Sequence, residues 1–132
     1  MADEGEKGSG RLREVEKALR YAQAFERIAG SGGPIGEYQT PAEAMLDTSQ
    51  NPLAARVRYY EDKAISIVRK YRPSLADRLE TEYSEISRRF HSASRTGDAE
   101  ALTRLTGELV ELMGSVSRAL KEIRQELGGA VS

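Results

Sequence analysis

The chain has 132 residues, 31% of them charged and 39% hydrophobic, with a formal net charge of -1, the balance of a single globular domain. That near-neutrality argues against a polycation built to coat nucleic acid and against an acidic disordered segment. With no cysteine, neither a disulfide framework nor a thiolate metal site can form, and a reducing, cytoplasmic location is expected.

The first ten residues, MADEGEKGSG, are acidic and glycine-rich. They lack the basic start and apolar centre of a secretory leader, so 1–10 is read as a disordered N-terminal tail and 11–132 as one helical domain. No apolar run approaches the roughly 18 residues of a membrane span, and no membrane partner is expected. Apolar residues recur at helical spacing and nowhere alternate as in a strand. The first helix is predicted over 11–29, with Leu12, Val15, Leu19, Ala22, Phe25 and Ala29 on one face.

GSGGPIGEYQTP (30–41) breaks this period and reads as a flexible Gly/Pro loop. Neither phosphate-binding glycine pattern fits it, since Ile35 stands where the last glycine of G-x-G-x-x-G belongs and no strand precedes it. Ile35, Tyr38 and Gln39 are the residues through which the loop could contact a partner.

Thr40-Pro41-Ala42-Glu43 has the form of a capping box and starts a short helix at 41–47. Asn51-Pro52 repeats the logic for a helix at 52–72, expected to bury Leu53, Val57, Tyr60, Ala64, Ile67, Val68 and Tyr71. Pro73 is expected to break it, with a proline kink as the alternative, and Ser74 is the expected cap of a helix at 75–95 with Leu75, Leu79, Tyr83, Ile86, Phe90 and Ala93 inward. Gly97 suits a left-handed helix end and Asp98 the next N-cap. The last helix is predicted over 99–127, ending at Gly128-Gly129, with Leu102, Leu105, Leu109, Leu112, Val116, Ala119 and Ile123 as its stripe.

These elements predict an all-α fold: an antiparallel three- to four-helix bundle with a long C-terminal helix. The first helix either packs as a fourth member or swaps to a neighbouring subunit. Beside the large stripe of the last helix runs a line of small residues, Thr103, Gly107, Val110, Gly114 and Ser117. Two glycines inside a helix each cost about 1 kcal/mol against alanine. The line is therefore expected to be a helix-packing interface, against the first helix or the same helix of a second copy.

Candidates for chemistry are few. His91 is the lone histidine, lies in Arg88-Arg89-Phe90-His91, and has no glutamate at the spacing of a helical di-iron site. Glu80, Glu82 and Glu85 read as a solvated face. No catalytic residue, metal ligand or cofactor site is expected. The helix at 52–72 carries six basic residues against Glu61 and Asp62. Arg56, Tyr59, Lys63 and Lys70 fall on one stripe, while Arg69 and Arg72 lie round the other side with Arg58. These could track a nucleic-acid backbone with Tyr59 stacking a base, or exchange ion pairs with Glu80, Glu82 and Glu85. The expected function is a non-enzymatic helical interaction or scaffold protein, partnered by another protein or by itself as a homo-oligomer. Nucleic-acid binding through 52–72 is the alternative.

Overall fold

A computed structural model describes residues 2–31, 41–47 and 52–131. Five helices pack against one another, with no strand among the described residues: α1 (Ala2–Gly30), α2 (Pro41–Leu46), α3 (Pro52–Tyr71), α4 (Pro73–Thr96) and α5 (Ala99–Val131). The fold is an all-α bundle. The loop and its candidates Ile35, Tyr38 and Gln39, with the capping residues Thr40 and Asn51, lie outside the described residues.

The helix ends follow from local chemistry. Arg72 leaves the helical region (φ −142°, ψ 68°), as a residue before proline is forced to do. Its N–H still donates to the Val68 carbonyl at 2.6 Å, closing α3, and its own carbonyl accepts from the Ala76 N–H at 2.9 Å, opening α4. Arg72, not Ser74, is thus the N-cap of α4; with proline at the first helical position, Ser74 falls inside the first turn.

At the other end Gly97 takes the left-handed conformation (φ 67°). Its N–H reaches the Ser94 carbonyl, and the Asp98 N–H reaches that of Ala93 at 3.0 Å, the paired bonds of a Schellman turn. Asp98 then accepts from the Ala101 N–H at 3.1 Å and caps α5. Replacing Asp98 with alanine is expected to cost about 1 kcal/mol in urea unfolding.

Two boundaries differ from expectation. α1 begins at Ala2, nine residues before the predicted start; no proline occurs before Pro34, so nothing in residues 2–10 forbids helix. α5 runs through Gly128 and Gly129 to Val131. Gly97 is the sole glycine with positive φ among the described residues, so the terminal pair weakens the helix without ending it.

α1 packs within its own chain, against α3 and most extensively against α5, while α4 also packs against both α3 and α5. Val15, Leu19, Ala22, Phe25 and Ala29 of α1 are buried, as are all seven stripe residues of α5. α2 is no mere connector: Pro41, Ala42, Ala44, Met45 and Leu46 are all buried, and this single short helix touches each of the four long ones.

α3 is rotated from its expected face. Its buried residues are Ala54, Val57, Glu61, Ala64, Ile65 and Val68, whereas Leu53, Tyr60, Ile67 and Tyr71 are only partly buried. A charged side chain therefore sits in the middle of the true core stripe.

Candidate functional site

The small-residue line of α5 divides in two. Gly114 and Ser117 are buried and Val110 is partly buried, whereas Thr103 and Gly107 are exposed. The reason is register. Glu26 of α1 lies over Gly114, and in this antiparallel pair α1 ends at Gly30, about one turn further on, so Thr103 and Gly107 lie beyond its last turn.

Nor, among the described residues, does any other helix backbone press on Gly107 or Gly114, contrary to the close approach expected from their spacing. A Cβ at Gly107 would meet nothing within 4 Å among the described residues. One at Gly114 would meet the Glu26 carboxylate oxygen at 3.2 Å and Arg118 at 3.5 Å, both far ends of flexible side chains. Gly107→Ala is therefore expected to stabilise by about 1 kcal/mol, and Gly114→Ala by somewhat less, in chemical unfolding. A loss of stability at either would show that backbone proximity requires glycine there.

The basic residues of α3 and Arg72 just after it also divide. Arg69 is tied to Asp77 and Glu80 of α4, and Arg72 to Glu126 of α5. Of the acidic partners expected on α4, only Glu80 takes part. Arg56, Lys63 and Lys70 are exposed, and among the described residues Tyr59 is the one large aromatic left exposed, at 54%. Lys63 stands over the Tyr59 ring, 4.9 Å from its centroid, a cation–π contact. Glu14 lies 3.9 Å from Lys70, with both side chains mostly solvated.

The rotation of α3 creates a groove with α1. Tyr60 stacks on Tyr21, ring centroids 3.8 Å apart and planes 10° from parallel. With Ala18 and Ile67 they line a cavity of about 320 Å³ whose rim carries Lys17, Lys63 and Lys70 against the single carboxylate of Glu14. The result is an aromatic and aliphatic floor inside a positive edge. Sequence inspection finds Lys63 and Lys70, but Lys17 and Tyr21 belong to another helix and only packing brings them here.

The face between α4 and α5 has the opposite sign. Glu82, Glu85, Glu108 and Glu111 stand round an open hollow with Arg89, above Ile86 and Leu112. Arg89 holds Glu108 through two hydrogen bonds of 2.9 and 2.6 Å. Arg88 pairs with Glu85, holding that carboxyl below its ordinary range. Glu82 and Glu111 are exposed and have no ion-pair partner among the described residues.

Glu61 is the residue that sequence inspection missed. It is 1% exposed, and its Oε2 has no hydrogen-bond partner among the described residues. Burial, reinforced by the neighbouring charge of Asp62, pushes its carboxyl up to about 8, so the group is neutral at pH 7. Buried Tyr83 is raised above its usual value as well, first by burial and then by Glu61. Sealed from solvent, Glu61 is out of reach of a substrate and weighs on stability instead. His91 is exposed on the flank of α4, its ring edge-on to Phe90. Among the described residues no group of three metal-ligating side chains converges, and no helix is long and apolar enough to cross a membrane.

Comparisons with known protein families, with curated proteins and with solved structures give no match for this chain. Among the described residues, the α1/α3 groove and the α4/α5 face are surfaces of opposite charge.

Proposed function

We propose that the chain is a non-enzymatic helical interaction protein that self-associates through its helix faces. The observation that carries this reading is the α1/α3 groove, where Tyr21, Tyr60 and Ile67 are left partly buried inside a ring of lysines. An apolar, tyrosine-bearing centre within a polar rim is the anatomy of a protein interface. The floor is short, so the contact is weak and shows at high protein concentration.

Sedimentation equilibrium up to about 1 mM protein tests this, since an association of about −4 kcal/mol is half-formed there. The mass is expected to rise with concentration, and Ile67→Asp, which puts a charge on the floor, to reduce the rise. A chain that stays single across the whole range refutes the reading.

A second reading is nucleic-acid contact by Arg56, Tyr59, Lys63 and Lys70, supported by their common exposure on one side of α3. Arg69 and Arg72 would have to give up their ion pairs to join them. Gel shift at about 50 mM salt decides it, because phosphate contacts are strongest at low salt and the absence of a shift there excludes them.

A further inference from the structure

We infer that copies of this chain associate by opposite faces, the lysine-rimmed α1/α3 groove of one against the acidic α4/α5 face of the next. The inference rests on the self-association proposed above and specifies which surfaces meet.

The packing scheme places the two faces on opposite sides. α1 touches α3 and α5, α4 touches the same two helices, and α1 and α4 do not touch each other among the described residues. α1 and α4 are therefore diagonal, and the α1/α3 side is the reverse of the α4/α5 side.

Their charges are complementary where they are free. Lys17 and Lys63 form no ion pair among the described residues on the first face, where Glu14 pairs with Lys70 and acts on Lys63 only at longer range, and Glu82 and Glu111 form none on the second. All four side chains are exposed. The extents match as well: residues 14–21 with 60–70 and residues 81–89 with 108–115 each run roughly 10–15 Å along the helices. Two copies joined by the same face would set like charges against each other, so the complementary arrangement is head to tail. Each added copy leaves one free face of each sign. The contact thus propagates, closing into a ring only if its rotation permits.

The test uses two double variants that remove charge without reversing it, Lys17→Gln/Lys63→Gln and Glu82→Gln/Glu111→Gln. Circular dichroism establishes first that both fold. At about 10 mM salt, where the Debye length is roughly 30 Å, the wild-type mass is expected to rise with concentration, and to fall back at about 1 M, where it is roughly 3 Å. Each variant alone is expected to associate roughly ten-fold more weakly. Mixed in equal amounts, the two should recover wild-type affinity but stop at a 1:1 dimer, since only one intact pair of faces remains.

A mixture no more associated than its components overturns the inference, as do variants that associate like the wild type; in either case the self-association itself stands. A wild type that stays single removes both readings. If that single chain binds a polyglutamate peptide, the groove serves another acidic partner and the inference is likewise overturned.

Discussion

Replacing Glu61 with methionine is expected to stabilise the protein by about 3 kcal/mol at pH 7. The wild-type carboxyl titrates near 4.5 in the unfolded chain and at about 8 in the folded one. Folding at pH 7 therefore requires about 2.5 pH units' worth of proton uptake, at about 1.4 kcal/mol per unit. The sign follows from the raised value: between pH 4.5 and 8 the folded state binds more protons than the unfolded state. Stability from this group is then greatest below pH 4.5, falls through that window, and levels off above about 8.

Methionine keeps the length and helix propensity of the side chain while removing the polar head whose Oε2 finds no partner among the described residues. Urea unfolding at pH 5, 7 and 8.5 gives the comparison. The variant's advantage should grow between pH 5 and 8, with the wild type steeper than the variant by about 1.4 kcal/mol per unit. Parallel pH dependences would mean that Glu61 is solvated or paired in the folded protein.

Met45→Ala is expected to cost about 2–5 kcal/mol, the range for emptying a fully buried long side chain. Met45 is 0% exposed on a helix of only six residues. Because α2 touches all four long helices, its loss should lower the midpoint of the whole unfolding transition without splitting it or changing its slope. Against a typical total stability of about 5–15 kcal/mol, that is a large fraction. A cost below about 0.5 kcal/mol would make α2 a surface connector, contrary to its burial.

These two residues mark where sequence reasoning stopped. α2 is legible as a helix from its proline and acidic first turn, but no local pattern says that five of its six residues are buried. Glu61 is hidden for the opposite reason. Hydropathy places Tyr60 and Ile67 inside α3 and any glutamate outside, yet α3 turns Ala54 and Ile65 inward beside the expected Ala64 and carries Glu61 with them. Side-chain size and polarity gave a face about one residue out of phase, and the packing of four neighbours overrode it.

The candidate surfaces were legible in part. Arg56, Tyr59 and Lys63 are exposed along α3, as helical spacing implies. Arg69 and Arg72 are drawn away by Asp77, Glu80 and Glu126, the last of them 54 positions along the chain. Glycine spacing suggested a continuous packed edge on α5, but the end of α1 at Gly30 cuts that edge short.

From sequence alone follow the all-α class, the break at Pro73, the Gly97-Asp98 turn and the buried stripes of α1, α4 and α5. All of these depend on the 3.6-residue period or on the backbone limits of proline and glycine, which act over a few neighbours. The phase of α3, the depth of α2, the neutral carboxyl of Glu61 and the joining of Lys17 and Tyr21 to Lys63 and Tyr60 were decided only by tertiary structure. Each depends on which helices lie side by side and where one ends against another, and those relations join residues too far apart in the chain for any local pattern to connect.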